Sequence, residues 1–321
     1  MQPATLTGLA IGDALGMPFE THHFSSEALL DWDGTFQSGA TNTLQPNLKP
    51  GQWTDDTKMA SALAASLAAS GTYDPVGAAQ NYMEWYDSGD HRGMGKATRE
   101  ALERILKGYH WLDSGVDSQG NGTAMRVAPL GLFYYNSPGT AAIAARIDAR
   151  ITHSSEESVE GAVVVAVATA LLVGGAQPNL DAGANDNFIR RVMYYTTYES
   201  DIISKLVDVQ DILHGLPTEP RDRLKETLKA LLEMGTGAHV VQTVPAALLC
   251  FLATSNFADA VEIAVRAGGD TDTTAAITGA LAGTFYGMEQ VQPYVNELEE
   301  AATILRLDKE LYEMASAPGT P

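Results

Sequence analysis

Apolar residues recur at intervals of three or four positions along most of the chain. This period places apolar side chains on one face of a helix, whereas the alternation of every second residue that marks a half-buried strand is scarce. The clearest helical segments are ATLTGLAIGDALG, TKMASALAASLAAS, KATREALERILKGY, PGTAAIAARIDARI, RDRLKETLKALLEM and TTAAITGALAGTFYG. The pattern therefore predicts an all-α protein.

Helix start and stop signals agree with this pattern. Ser154 and Glu157 have the spacing of a capping box, and Gly71 follows the helical segment that begins near Thr57. The β-branched run at residues 163–167 is also compatible with a buried strand, because short apolar runs are ambiguous by period alone. The capping box in front of it favours a helix.

Polar segments with glycine and proline interrupt the helical pattern at residues 174–187 and 215–222, and they predict surface loops. None has the character of a domain hinge, and the sequence shows no internal repeat. Fraying is expected only in the C-terminal tail, from about residue 315. The sequence therefore predicts one compact helical domain over residues 1–321, which we expect to be a monomer.

Composition and charge narrow the range of partners. The chain is 45% hydrophobic with 30 glycines, which is typical of a soluble globular protein packed through small residues. Forty acidic against twenty basic residues give a formal charge of −20, which repels phosphate backbones and argues against a nucleic-acid partner. An anionic small substrate would likewise need local positive charge at its binding site.

The chain shows no sign of export or membrane insertion. Its single cysteine, Cys250, lies in an apolar run, so an intrachain disulfide is excluded and a reducing compartment is expected. The N-terminus lacks the basic and hydrophobic regions of a signal peptide. The longest apolar stretch, GAVVVAVATALLVGG, is shorter than the roughly 20 residues that a membrane-spanning helix needs. We expect a cytoplasmic protein with no membrane partner.

Two acidic clusters lie far apart in the sequence, each directly before a predicted helix. The first contains Thr54, Asp55 and Asp56, and the second contains Asp270 and Asp272. Capping of the helix and interaction with its dipole explain one carboxylate in each cluster and leave the other unexplained. Adjacent carboxylates repel one another unless a cation or a shared proton compensates them. The two clusters together therefore predict a shared metal site.

The ligand chemistry favours hard cations. Carboxylate and hydroxyl oxygens, without cysteine or a paired-histidine motif, suit Mg²⁺ or Mn²⁺ and not structural zinc. Four carboxylates neutralise a charge of +4, so two divalent cations fit better than one. A two-metal centre orients hydroxyl or phosphate groups of a substrate and activates water. It would also supply the positive charge that the overall composition lacks.

Several motifs together resemble the ADP-ribosylglycohydrolase family, which includes the dinitrogenase-reductase-activating glycohydrolases and the ADP-ribosyl-acceptor hydrolases. They occur in the family's order, from about Leu6 to Gly287: GLAIGDALGMPFE, WTDDT, NGTAMRVAPLG, THSSEESVEGAVVVA and GGDTDTTAAITGALAGTFYG. The resemblance implies a compact, orthogonal all-α domain with a dinuclear Mg²⁺ or Mn²⁺ centre. It also implies a hydrolase that removes ADP-ribose from modified proteins or small acceptors by cleaving the ribosyl C1″ bond.

The resemblance also assigns residues to the metal centre. Glu20, which ends the GDALGMPFE motif, matches a glutamate beside the metals with a role in proton transfer or water activation; a surface glutamate is the alternative. With Glu20, the implied catalytic residues are Asp55 and Asp56. The implied metal ligands are Thr54, Asp55, Asp56, Asp270, Asp272 and Thr273.

Further positions match the site for ADP-ribose. Gly93 and Gly95 precede a predicted helix whose free amides and dipole would suit a diphosphate. The loop Asn121, Gly122 and Thr123 matches one that lines the ligand, although a simple Asn-Gly turn is an alternative. His153 matches a histidine that contacts the nucleotide, with helix capping or packing as the alternative.

One position in the first motif predicts a structural role. Asp13 is interpreted as an anchor for a helix and not as a catalytic residue. On that helix Gly8, Gly12 and Gly16 are four residues apart, so they share one face that can pack closely against a neighbour.

One departure from the family pattern concerns the acceptor. Arginine-specific members that regulate nitrogenase have an aspartate around the position of Gly93, where this chain has no side chain. Asp87 and Asp90 lie nearby in the sequence and are possible substitutes. Arginine, serine and small-molecule acceptors therefore all remain open.

Two other functions are compatible with parts of the sequence. The segment DTDTT also matches the nucleophile motif of haloacid-dehalogenase-like phosphatases, but that motif belongs after a hydrophobic strand near the N-terminus, and here it precedes an alanine-rich helix. The second alternative is a non-catalytic module of the same fold that binds ADP-ribose or a partner protein. The complete ligand set and the presence of Glu20 favour the hydrolase.

Overall fold

The computed structural model describes residues 2–178, 181–197 and 200–317. Within these ranges the chain forms sixteen α-helices and two short 3-10 helices without a β-strand, which confirms the prediction of a compact all-α fold. The 3-10 helices are Met17–Phe19 and Gly39–Thr41. The α-helices are α1 (Thr5–Gly16), α2 (Glu27–Leu30), α3 (Asp55–Ser70), α4 (Pro75–Ser88), α5 (Lys96–Leu106), α6 (Ala128–Phe133), α7 (Pro138–Ala149), α8 (Glu156–Val173), α9 (Ala182–Met193), α10 (Asp201–Gly215), α11 (Pro220–Met234), α12 (Val240–Leu252), α13 (Phe257–Arg266), α14 (Thr271–Tyr286), α15 (Met288–Val295) and α16 (Ala301–Ser316).

The centre of the fold is a pair of antiparallel helices, α1 and α14, that are buried along almost their whole length. The glycines of α1 make this pairing unusually close. A Cβ atom added to Gly8 would lie 2.2 Å from the carbonyl oxygen of Gly279, and one added to Gly12 would lie 2.0 Å from that of Ala275. The two backbones therefore touch without side chains between them, as the spacing of these glycines predicts.

This pairing brings two distant parts of the sequence together. At the C-terminal end of α1, Gly16 packs against the carbonyl oxygen of Thr271, the first residue of α14. The chain then passes through the 3-10 helix to Glu20, so that Glu20 lies beside the start of α14. Asp270 and Asp272 flank that start, and the position of all three carboxylates follows from the packing of α1 on α14.

Asp13 fixes the position of a third helix. Its buried carboxylate accepts hydrogen bonds from the backbone amides and the hydroxyls of Thr54 and Thr57, at 2.6–3.1 Å. These donors belong to the first turn of α3 and the residue before it. Asp13 therefore ties the start of α3 to α1, which confirms its interpretation as a structural anchor.

The predicted helix boundaries need two corrections. The N-cap of α8 is Ser155, which accepts from the amide of Ser158, and not Ser154. Glu157 does not close a capping box there, because its carboxylate accepts from the hydroxyl of Ser200 and the amide of Asp201. The apolar run 163–167 nevertheless lies within α8, as predicted.

Of three other predicted boundaries, one agrees with the structure and two differ from it. Gly71 ends α3 in a left-handed conformation with φ +68°, as expected of a C-cap glycine. Helix α9 begins inside the predicted loop 174–187, because Asp181 caps it by accepting from the amide of Ala184. Helix α16 continues to Ser316, past the predicted start of fraying, and residues 318–321 lie outside the described part of the chain. Among the described residues, none of the helices is long and apolar enough to span a membrane.

Candidate active site

A cleft of about 280 Å³ opens where the starts of α3, α5 and α14 meet the end of α1. It collects most of the residues that the sequence nominated, from six separate segments of the chain. Thr54, Asp56 and Thr123 are not among its lining residues. The predicted residues that line the cleft are Glu20, Asp55, Gly93, Gly95, Asn121, Gly122, His153, Asp270, Asp272 and Thr273.

Three carboxylates converge at the floor of the cleft. One oxygen each of Glu20, Asp270 and Asp272 lies within 4.8 Å of the other two, and both aspartates are buried. Glu20 is partly buried. Oxygen atoms at this separation suit a hard divalent cation. The structure thus groups Glu20 with two predicted ligands, although the sequence assigned it a role in proton transfer.

Of the first acidic cluster, only Asp55 lines the cleft. Asp56 is 1% exposed, and its Oδ1 atom has no hydrogen-bond partner among the described residues. A buried carboxylate oxygen without a donor is costly, so its presence argues for a ligand at this position. The residues therefore fit the predicted metal centre by an observation that is independent of the sequence motifs.

The simpler explanation, helix capping, does not account for these residues. Thr54 and Asp270 occupy the N-cap positions of α3 and α14, but the side chain of neither makes a capping hydrogen bond. The hydroxyl of Thr54 donates to Asp13 instead, which leaves its oxygen lone pairs available. Asp270 accepts from the side-chain amide of Asn121 at 2.7 Å.

The electrostatics of the cluster show how strongly the carboxylates repel one another. Burial, together with the charges of Asp270 and Asp13, raises the pKa of Glu20 to about 7. Burial and the charges of Asp13 and Glu20 raise the pKa of Asp55 to about 8. The pKa values of Asp56 and Asp272 also lie well above the ordinary value, first because of burial and then because of neighbouring carboxylates.

No lysine or arginine within the described residues forms an ion pair with Glu20, Asp55, Asp56, Asp270 or Asp272. Without a cation, these carboxyl groups reduce their mutual repulsion by retaining protons. Divalent cations would compensate the same charge, so metal and protons compete for these oxygens.

This competition predicts that stabilisation by metal grows with pH. In the metal-free protein the folded state keeps protons that the unfolded chain, with ordinary carboxyl pKa values, has lost. Folding stability therefore falls between about pH 4 and pH 8, by about 1.4 kcal/mol per retained proton and pH unit. We expect the gain in melting temperature on adding Mn²⁺ in place of EDTA to increase from pH 5 to pH 8.

The difference between the melting temperatures in Mn²⁺ and in EDTA reports on the acidic cluster alone, because carboxyl groups elsewhere affect both measurements. Asp308, a buried carboxyl group that binds the start of α1 and has a pKa raised by burial to about 6, contributes equally to both curves and cancels. A metal-dependent gain that is constant over this pH range would contradict the model of a proton-stabilised metal-free cluster.

Gly93 packs directly on the first acidic cluster. It has φ +74°, and a Cβ atom added to it would lie 2.2 Å from Oδ1 of Asp55 and 2.8 Å from Cβ of Thr54. A side chain at this position therefore does not fit without displacing Asp55. Gly95, two residues later, is the N-cap of α5 and supplies no side-chain cap.

We expect Gly93→Ala to lower the affinity for Mn²⁺ by about 10- to 100-fold, the usual cost of disturbing groups that orient a metal ligand. Gly89→Ala is the matched control, because Gly89 has a similar φ of +78° but a Cβ atom there meets nothing within 4 Å. Isothermal titration of both variants with Mn²⁺ measures the difference. Equal affinities would show that Asp55 does not contribute to the metal site.

Asn121 and Gly122 of the Asn-Gly loop line the cleft, and the loop also makes structural contacts. The amide group of Asn121 donates to Asp270 and, at 3.0 Å, to the hydroxyl of Thr243, while its backbone amide donates to the carbonyl of Ala238. Asn121 therefore orients a predicted metal ligand. Thr123 is fully buried and donates to the carbonyl of Ser158, so it anchors the loop to α8 behind the cleft.

His153 lines the cleft beside the Asn-Gly loop and is 2% exposed. Its Nδ1 atom lies 2.9 Å from the hydroxyl of Thr152. Burial and the positive charge of Arg126 lower the pKa of His153 to about 3, so the imidazole is neutral at physiological pH. It does not cap α8, whose N-cap is Ser155.

Sequence reasoning missed several residues around the cleft. Lys96, Ser118 and Met125 line it, and the buried pair Arg126 and Asp148 lies behind it. The sequence held one signal for the pair, since Arg126 is an isolated charge in the apolar segment TAMRVAPLG and buried charges need partners.

The chain is similar to known proteins along most of its length. The sequence pattern of the ADP-ribosylglycohydrolase family matches residues 4–321. An uncharacterised protein of Archaeoglobus fulgidus is 31% identical, over 96% of this chain and 95% of its own. The mouse ADP-ribosylhydrolase ARH3 is 30% identical, over 89% of this chain and 84% of its own.

Two further relatives are similar along the whole chain. The ADP-ribosylarginine hydrolase Tri1 of Serratia proteamaculans is 27% identical, over 97% of this chain and 78% of its own. A solved structure described as an ADP-ribosylglycohydrolase-related protein complex is 28% identical and superposes with a TM-score of 0.74, covering 97% of this chain and 96% of its own. Since the family pattern spans nearly the whole chain and a relative reaches 31% identity over 96% of it, the chain belongs to the ADP-ribosylglycohydrolase family.

Proposed function

We propose that this protein is a divalent-metal-dependent hydrolase that cleaves the ribosyl C1″ bond of ADP-ribosylated proteins or small molecules and releases ADP-ribose. The observation that carries the proposal is the group of three carboxylates at the floor of the cleft, together with the buried Asp56 oxygen, which has no hydrogen-bond partner among the described residues. The relatives named ADP-ribosylhydrolase and ADP-ribosylarginine hydrolase support the reaction class.

Four of the six residues that would hold two Mg²⁺ or Mn²⁺ ions line the cleft, and the other two, Thr54 and Asp56, are the direct chain neighbours of Asp55. When bound, the metals supply the positive charge that orients ribose hydroxyls and polarises water. The proposed ligands are Thr54, Asp55, Asp56, Asp270, Asp272 and Thr273, with the Glu20 carboxylate beside them.

Glu20 is the proposed proton-transfer group. Its partly buried carboxyl group lines the cleft, and one of its oxygens lies within 4.8 Å of oxygens of Asp270 and Asp272, so a group able to exchange protons stands beside the proposed metal ligands. In hydrolysis, the oxygen of water bonds to C1″ while the bond from C1″ to the acceptor breaks, and the acceptor gains a proton. The surrounding carboxylates stabilise the positive charge that develops on the ribosyl carbon, as in other glycoside hydrolases.

The other end of the cleft has the character of a site for the rest of ADP-ribose. The start of α5 at Gly95 points its first amides and the positive end of its dipole toward the cleft, which suits a diphosphate. Lys96 lines the same wall and adds the positive charge that a protein of formal charge −20 needs to bind an anion. Gly122 and His153 form the remaining wall.

The acceptor is the open part of the proposal. Any side chain at position 93 would clash with Asp55, and Gly93 has none, so no side chain from this position contacts the acceptor. Asp90, the nearby alternative, is paired with Arg92 at 2.9 Å and is not free to receive an arginine. Asp87, the other alternative, is exposed. Arginine, serine and small-molecule acceptors therefore all remain open, and we propose a monomeric state and a cytoplasmic location.

The test is release of ADP-ribose from substrates linked through arginine, through serine and through a small-molecule acceptor, in the presence of Mg²⁺ or Mn²⁺. EDTA and the Asp55→Ala variant are the controls. Release that depends on both metal and Asp55 supports the hydrolase and identifies the linkage. Binding of ADP-ribose without release from any substrate would instead support the non-catalytic module.

A further inference from the structure

Arg126 is a fully buried arginine directly behind the cleft. Its Nε atom donates to Oδ2 of Asp148 at 2.8 Å, and Nη2 donates to the carbonyl of the same residue at 2.8 Å. Tyr82 donates to the other carboxylate oxygen of Asp148 at 3.0 Å, and its ring lies 5.0 Å from the guanidinium carbon. A buried ion pair of this kind is weak support for stability by itself, so its remaining contacts show what it positions.

The remaining nitrogen of the guanidinium, Nη1, binds two segments of the chain beside the cleft. It donates to the carbonyl of Gly122 at 2.8 Å and to the hydroxyl oxygen of Thr152 at 2.7 Å. Gly122 belongs to the Asn-Gly loop, and Thr152 precedes His153. One nitrogen therefore sets the distance between the loop and the histidine.

The same contact fixes the direction of the next hydrogen bond. Arginine has only donors, so the Thr152 oxygen accepts from it and keeps its own proton to donate. Within the described residues the one other hydrogen-bond partner of that hydroxyl is Nδ1 of His153, at 2.9 Å. Thr152 is fully buried, so its hydroxyl proton would be left without an acceptor if Nδ1 also donated to this oxygen. Nδ1 therefore accepts, and a neutral imidazole that accepts at Nδ1 carries its proton on Nε2.

The Nε2 atom lies against the two glycines that line the cleft. A Cβ atom would lie 3.4 Å from Nε2 at Gly120 and 3.5 Å from it at Gly122, which is van der Waals contact, so a side chain at either position would occupy space beside this nitrogen. The absence of side chains leaves room for a ligand atom beside Nε2. The imidazole is otherwise enclosed, at 2% exposure, so its orientation is set by the protein and not by solvent.

We propose that Arg126 and Thr152 are positioning residues that lock His153 as the Nε2–H tautomer, so that the cleft presents an uncharged hydrogen-bond donor to an acceptor atom of ADP-ribose. The identity of the ligand rests on the proposed function, whereas the tautomer does not. The positive charge of Arg126 serves a second purpose, since it disfavours the protonated imidazole and keeps the donor neutral.

The experiment reads the tautomer directly. Proton–nitrogen NMR spectra of isotope-labelled histidine distinguish the protonated ring nitrogen of each of the seven histidines at neutral pH. His153→Gln identifies the His153 signals by their loss. We expect the wild-type protein and Thr152→Ser to show the proton on Nε2, and Thr152→Val, which lacks the hydroxyl but keeps the shape, to show a mixture of tautomers.

Binding supplies the second readout. We expect Thr152→Val to weaken ADP-ribose binding by about 5- to 30-fold, the usual effect of one hydrogen bond, and Thr152→Ser to restore it. A proton on Nδ1 in the wild-type spectrum would overturn the proposal, as would equal binding by the valine variant and the wild type. If the wild type shows the Nε2 proton but binds no ADP-ribose, the tautomer lock stands and the proposed function fails.

Discussion

Replacing Asp272 by asparagine is expected to lower ADP-ribose release about a thousandfold while making the metal-free protein more stable. Asp272 lies in the first turn of α14, with an oxygen within 4.8 Å of oxygens of Glu20 and Asp270. Loss of a metal ligand removes several kcal/mol of transition-state stabilisation, and each 1.4 kcal/mol is about tenfold in rate. The same change removes a buried negative charge from a cluster that repels itself.

The expected gain in stability distinguishes a metal ligand from a carboxylate that the fold requires. Asparagine keeps the oxygen that accepts from the amide of Thr273 at 2.9 Å, so the local fold has no reason to change. In EDTA at pH 8 we expect the free energy of unfolding to rise by about 1 to 3 kcal/mol. The neutral asparagine neither has to take up a proton on folding nor repels the neighbouring carboxylates. Denaturation with and without metal measures it.

Asp211→Asn is the control, because Asp211 is exposed on α10 and the substitution makes the same change in net charge. We expect neither its activity nor its stability to change beyond about 0.5 kcal/mol. A destabilised, metal-free Asp272→Asn would mean that the carboxylate is part of the scaffold, and the metal-centre proposal would lose its second cluster.

Replacing Gly12 by alanine is expected to have the largest effect on folding. The new Cβ atom would lie 2.0 Å from the carbonyl oxygen of Ala275 and 2.5 Å from its carbon, both backbone atoms that cannot move aside as a side chain can. The two central helices would have to separate. We expect a loss of about 3 to 5 kcal/mol in the free energy of unfolding, at the upper end of single substitutions.

This displacement also reaches the cleft, because the position of Glu20 relative to Asp272 depends on the contact between α1 and α14. We expect any folded Gly12→Ala protein to bind Mn²⁺ more weakly than the wild type. Gly215→Ala is the control: Gly215 is the last residue of α10, a Cβ atom there meets nothing within 4 Å, and alanine should be neutral or slightly stabilising. Equal stabilities of the two variants would contradict the close packing of α1 and α14.

The local patterns of the sequence were sufficient to predict the all-α class and several of the helices. The period of apolar residues, the glycine after α3 and the acidic residues at helix starts are all short-range features, and the structure agrees with them. Errors occurred where two neighbouring residues were equivalent by pattern, as with Ser154 and Ser155, or where a polar segment began a helix, as at α9. The hydrogen bonds of the folded chain decide such cases.

The sequence by itself therefore determined an all-α chain that carries two oxygen-rich clusters suited to hard cations. Only the tertiary structure decided which side chains share the cleft. Close antiparallel packing of α1 and α14 places Glu20 with Asp270 and Asp272, and the hydrogen bond from Asn121 to Asp270 adds an orienting contact that the sequence did not predict. Both depend on contacts between residues far apart in the chain, which no local spacing encodes.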